Sequence, residues 1–181
     1  MTTGKREQIV RGALHLYRTQ AVCGSTLKDV AAASGVPLGN LYYYFRTREE
    51  LLLAVLDACE AELRGLLRDL ASLPPPAWLA AYFDWLLTDP DSAAHQGCPF
   101  GTLAVELRAL RDPAAPRAAG IVQTYREAVT AQVQALAPES DPDELFLTVQ
   151  GAYTVARALN DPDLFRQRVT GLRDRLLGDL T

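Results

Sequence analysis

Apolar residues along this chain recur at spacings of three and four, and no stretch sustains the apolar–polar alternation of a half-buried strand. Over residues 5–20, Ile9, Val10, Ala13, Leu14, Leu16 and Tyr17 form one stripe, which predicts a first helix with basic ends. Ser25 or Thr26 is placed to cap a short second helix carrying Leu27, Val30 and Ala31, and Asp29 completes a capping-box-like pair with Thr26. That helix is expected to stop at Gly35, in the left-handed position past a helix end. Pro37 suits the first turn of a third helix running to about Tyr44, because its missing N–H is no loss there. Thr47 and Glu50 form a second capping box, Thr47 accepting from the third N–H and Glu50 reaching back. It opens a long fourth helix to about Leu70, with Leu51, Leu52, Val55, Leu63, Leu66 and Leu67 on its apolar side.

Proline then punctuates the chain. Three prolines at 74–76 make a turn between helices, and Asp-Pro pairs at 89–90, 112–113, 141–142 and 161–162 have the form of N-cap plus first helical residue, the last two above all. Further helices are predicted over 77–88, 101–111, 115–137, 142–159 and 162–178. The fold class expected is all-α, with about nine helices, the first three forming a compact unit.

Composition narrows the functional classes. With 49% apolar residues in 181, the chain can bury a sizeable core, and disorder is not expected. No apolar run reaches the roughly 18 residues of a membrane span, and the polar start M-T-T-G-K-R-E-Q lacks a signal-peptide apolar region. A cytoplasmic protein with no membrane partner is expected. Cys23, Cys59 and Cys98 are scattered, without a C-x-x-C, and there are two histidines, so neither a disulfide framework, a metal site nor a cofactor is anticipated. Cys23 and Cys59 read as buried filler. The net charge of −4 hides an asymmetry: residues 1–50 hold seven basic and four acidic side chains, leaving 11 basic and 18 acidic for the remainder. A basic module on an acidic body suits contact with phosphate at one end.

Two short helices joined at Gly35 and braced by a preceding helix fit either a helix-turn-helix or a small helical bundle; spacing leaves both open. Residues 5–52 resemble, along their whole length, the DNA-binding domain of TetR-type transcriptional regulators. The resemblance is carried by Ala13, Leu16 and Tyr17, then Thr26, Val30, Ala31, Ser34, Gly35 and Val36, then Leu41, Tyr42, Tyr44 and Phe45, and finally Arg48. It implies a helix-turn-helix domain over 1–46 and a helical ligand-binding and dimerisation domain over 47–181. It also implies a homodimer joined through the last two helices, a palindromic double-stranded DNA operator, and repression relieved by a small-molecule effector.

The DNA-binding residues expected are Thr26, Lys28, Pro37, Leu38, Gly39, Asn40, Tyr42, Tyr43, Arg46 and Arg48. Where the family often has Ser-Lys-Gly-Thr, this chain has Pro37-Leu38-Gly39-Asn40, so base reading shifts to Leu38 against a thymine methyl and Asn40 against an adenine edge or a phosphate. Lys28, Arg46 and Arg48 are assigned to phosphates, joined by the Thr26 and Tyr42 hydroxyls, with the Thr26 backbone N–H free to help. Gly39 reads either as close approach of the DNA backbone or as tight helix packing. Leu41, Tyr44 and Phe45 are expected in the core.

Residues 95–107, H-Q-G-C-P-F-G-T-L-A-V-E-L, are similar to a Gly-Cys-x-x-Gly-x-Leu-x-x-Glu motif of a branch of these regulators that includes sensors of electrophiles or reactive small molecules. Cys98 just before a helix suits a thiolate, with His95 to assist, and hence sensing of an electrophile or oxidant; the plainer alternative is a small hydrophobe in a turn. The effector site is expected among Trp78, Tyr82, Trp85, His95, Cys98, Phe100, Thr102, Glu106, Tyr125, Gln150 and Tyr153. Two other functions remain open: a helical enzyme with Cys98 as nucleophile and His95 as base, and a constitutive, ligand-free DNA-binding dimer.

Overall fold

A computed structural model describes residues 4–178, and within them every regular element is a helix. Ten helices follow in order: α1 Lys5–Gln20, α2 Leu27–Ser34, α3 Leu38–Tyr44, α4 Arg48–Leu70, α5 Pro75–Leu86, α6 Pro90–Gln96, α7 Thr102–Ala109, α8 Ala115–Leu136, α9 Pro142–Leu159 and α10 Pro162–Leu177. The helix the sequence pattern missed is α6, only seven residues long and too short to show a period. It begins as the neighbouring Asp-Pro pairs do, with Asp89 accepting from Ser92 N–H at 2.9 Å.

The caps decide where the chain turns. Thr26 and Asp29 close a full capping box on α2, and Gly35, at φ 66°, lets the Val36 N–H reach the Ala31 carbonyl. On α4 the box is displaced by one residue: Thr47 accepts from Glu50 N–H, but the Glu50 carboxylate takes the N–H of Arg46 at 2.7 Å. Asp141 and Asp161 cap α9 and α10 as expected, whereas Asp112 lies before the start of α8 and accepts from Ala114 N–H.

α1 packs on α2 and α4, and also touches α6 and α7, so one continuous core runs from Ile9 to Leu172 without a break at the fourth helix. α8 lies against α9, α5, α7 and α4. α10 lies on α9, α6 and α5, burying Phe165, Val169 and Leu172. α10 therefore has its partners within the chain. Its apolar face is occupied internally, and among the described residues the large apolar side chains left exposed beyond α3 are Val105 and Leu110 around α7 and Leu147, Val155 and Leu159 on α9. Among the described residues no helix is long and apolar enough to cross a membrane.

Candidate nucleic-acid interface and cavity

α3 has seven residues and a strict division of faces. Leu41 and Phe45 are buried, holding it on the small core, while Pro37, Gly39, Tyr42 and Tyr43 are exposed and Leu38 and Asn40 half-buried. Tyr44 departs from expectation: it lies at the surface, edge-on to Tyr43 with ring centroids 5.2 Å apart. All three consecutive tyrosines thus present a face outward, since a helix turns 100° per residue and Leu41 already occupies the core-facing position. Gly39 has open space where a Cβ would stand, which removes tight helix packing as its reason. Arg6 lies over the Phe45 ring at 5.1 Å, tying α1 to the end of α3.

Among the expected phosphate contacts, Lys28 and Arg46 are exposed. Arg48 is exposed too, but turns its guanidinium to the carbonyl of Val22, in the loop between α1 and α2. The Thr26 donors are also occupied, its backbone N–H and hydroxyl both going to Asp29 Oδ2, at 2.8 and 2.6 Å; the free N–H expected there is absent. Those two bonds hold the Asp29 carboxyl below its ordinary range.

The second feature is a cavity of about 1110 Å³ between α7, the start of α8 and the end of α9, reaching the α1–α2 loop. Of the effector residues expected, Cys98, Thr102, Glu106, Gln150 and Tyr153 line it; Trp78, Tyr82, Trp85, His95, Phe100 and Tyr125 do not. Aromatic type alone could not separate wall from core. Trp85 stacks on Phe100 with centroids 6.0 Å apart, and Tyr82 and Tyr125 join their hydroxyls at 2.6 Å in full burial. Burial also holds both phenols above their ordinary range. Residues the sequence reading missed include Tyr17, Ala21, Cys23, Val122 and Arg157, brought in from α1, its following loop, α8 and α9. Gln123 and Gln150 add amides to the wall, and the Gln150 amide lies against the Cys98 thiol.

The glycines of G-C-P-F-G build one edge of this cavity. Gly97 sits at φ 74°, and a Cβ there would meet Thr102 Oγ1 at 2.8 Å and Arg157 Cδ at 3.2 Å. Thr102 Oγ1 donates to the Cys98 carbonyl at 2.9 Å, closing the turn. Arg18, buried at the end of α1, donates to the Pro99 carbonyl and to Glu62, each at 2.8 Å.

Cys98 is not poised as a thiolate. Burial pushes its thiol up, and the N–H groups of Phe100 and Gly101 offset this only in part. His95 is exposed, with Nδ1 on the Asp91 carbonyl, so no nucleophile–base pair is assembled. Cys59 is buried as expected and its pKa is pushed up to about 11, whereas Cys23 is exposed, against expectation. Because the thiolate is the reacting form, iodoacetamide at about pH 7 is expected to label Cys23 first. Cys98 should react at least roughly tenfold more slowly, by mass spectrometry of the labelled peptides; equal rates would contradict its burial.

Comparison with known proteins places the first module. Residues 9–55 match the family described as bacterial regulatory proteins, tetR family. Over those residues the chain is similar to tetR-family regulators. The HTH-type transcriptional repressor DhaR of Mycobacterium sp. (strain GP1) is 30% identical over 114 residues, 61% of this chain and 56% of that protein. The transcriptional regulator AcuR of Cereibacter sphaeroides is 28% identical over 152 residues, 77% of this chain and 68% of AcuR. The chain spans about half the length of the first curated relatives it matches. Two crystal structures share the fold of this chain. A TetR transcriptional regulator of Chloroflexus aurantiacus J-10-FL is 24% identical with a TM-score of 0.76, over 93% of this chain and 92% of that one. A TetR-family regulator of Agrobacterium tumefaciens is 18% identical with a TM-score of 0.81, over 94% and 96%. These relatives are named as regulators, and none as an enzyme.

Proposed function

We propose that this chain is a homodimeric transcriptional repressor that reads a palindromic operator with α3 and releases it when a small molecule fills the α7–α8–α9 cavity. The observation that carries this reading is the pairing of an outward-facing α3 with a cavity whose wall reaches the α1–α2 loop. Pro37, Leu38, Gly39, Asn40, Tyr42 and Tyr43 are assigned to the groove, and Lys28 and Arg46 to flanking phosphates. Arg48 acts indirectly, by holding the loop before α2. The domain division falls between Arg46 and Thr47.

Dimerisation is assigned to α9, through its exposed Leu147, Val155 and Leu159. α10 supports that face from behind. A two-fold axis there dictates two half-sites on the DNA. The effector is a mostly apolar molecule with a few polar atoms, held by contacts rather than by a bond to Cys98, because the wall mixes alanines and valines with Gln150, Tyr153, Thr102 and Arg157. A cavity of this size argues against a constitutive, ligand-free dimer.

Selection of the full chain on random duplex DNA tests the reading. A palindrome is expected, bound in the range of about 10⁻⁸–10⁻¹¹ M and weakening steeply with salt. A selection that returns only non-palindromic or unenriched sequences would sink it.

A further inference from the structure

Resting on the repressor reading, we propose that Glu106 is the positioning residue of the DNA-reading module: from the cavity wall it clamps a strained loop that leads into α2. Both carboxylate oxygens are engaged by successive amides of that loop. Val22 N–H donates to Oε2 at 2.9 Å and Cys23 N–H to Oε1 at 2.8 Å, across more than eighty residues of sequence. Charge-assisted bonds of this kind are about twice as strong as neutral ones.

The clamped loop is not at rest. Ala21, at φ 69° and ψ 157°, occupies a region open essentially to glycine alone. Strain of this kind persists only where its surroundings over-determine it. Here Ser25 Oγ donates to the Ala21 carbonyl at 2.6 Å, Arg48 donates to the Val22 carbonyl, and Val22 is buried. Arg157, also on the cavity wall, donates to the Arg18 carbonyl at 3.0 Å at the end of α1. Two polar residues of the cavity thus hold the segment just before α2, and α2 carries the turn at Gly35 that sets α3.

A ligand acts on a two-state element only through different affinity for the two states. The clamp supplies such an element. A ligand that draws the Glu106 carboxylate toward itself removes both acceptors, Ala21 relaxes to an ordinary backbone conformation, and α2 and α3 lose their set position. This route runs through α7 and the α1–α2 loop, and does not require a shift of α4.

The clamp is tested with the full chain in the absence of any effector. Glu106→Ala is expected to speed hydrogen exchange of the Val22 and Cys23 amides at least tenfold, with the α5 and α10 cores unchanged. It is also expected to weaken binding to the selected operator at least tenfold. Adding Ala21→Gly removes the conformational penalty, so the double variant should recover most of the lost affinity, which a general loss of stability would not do. Glu106→Gln, keeping a single carbonyl acceptor, should give intermediate exchange and covers the case in which the alanine variant fails to fold. Unchanged exchange at both amides, or no recovery in the double variant, overturns the proposal. If selection returns no operator, exchange still decides the clamp, so the two readings fail separately.

Discussion

Phe165→Ala is expected to cost about 3–5 kcal/mol, within the range for truncating a fully buried phenylalanine. Phe165 is 0% exposed, and its ring centroid lies 4.5 Å from that of Tyr153, which lines the cavity. Removing it opens a void between α10 and α9 directly behind the cavity wall. In a chain of this size each kcal/mol lowers the thermal midpoint by roughly 2–4 °C, so melts followed by circular dichroism should separate the variant clearly. The same measurement decides what α10 is for. If its apolar face were reserved for a second copy, the penalty would fade as protein concentration rose, because association would replace the lost contacts by mass action. Packing within the chain predicts equal penalties at every concentration. A midpoint within about 1 °C of the wild type would contradict the buried position of α10.

That same helix marks where the sequence stops being legible. Caps and breakers act over three or four residues, so Thr26 with Asp29, Gly35, Pro37, Asp141 and Asp161 announced their helix ends correctly from local chemistry. The apolar stripe of α10 announced burial equally well, but a stripe does not name its partner; only the close packing of α5, α6 and α9 does. The cavity follows the same rule. Cys98, Thr102 and Glu106 fall within one short motif and were readable, yet Arg157, Tyr17 and Ala21 converge on them from distant helices. The strongest aromatic signals, Tyr82 and Tyr125, satisfy each other's hydroxyls and belong to the core. The place of Cys98 before a helix suggested thiol chemistry, whereas the glycine at 97 stands in a turn with no room for a side chain. Tyr42 and Tyr43 were legible as outward-facing, whereas Tyr44, expected in the core, joins them at the surface because Leu41 takes the core-facing position.

Gly12→Val is expected to pry α1 from α2 and to cost about 3 kcal/mol, at the upper end for overpacking a well-filled contact. A Cβ at Gly12 would stand 2.8 Å from both Cα and Cβ of Ser34 and 2.9 Å from its backbone nitrogen. Those are backbone and near-backbone atoms, so no flexible side-chain end can swing away, and the helices themselves must separate. They are also tied there, since Gln8 Nε2 donates to the Ser34 carbonyl at 2.9 Å. Two effects oppose each other at this position. Helix propensity alone makes glycine about 1 kcal/mol worse than alanine in a helix interior, and valine recovers part of that. The steric cost exceeds the recovery, so the net change is a loss. Gly39→Ala supplies the contrast: its Cβ meets nothing within 4 Å, and the same propensity argument predicts a gain of about 0.5–1 kcal/mol. Opposite shifts in thermal midpoint are therefore expected from two glycines of the same module. Because Ser34 precedes the Gly35 turn into α3, the Gly12 variant should also lose affinity for the selected operator. A Gly12→Val protein that melts and binds like the wild type would show that α1 and α2 do not need this close approach.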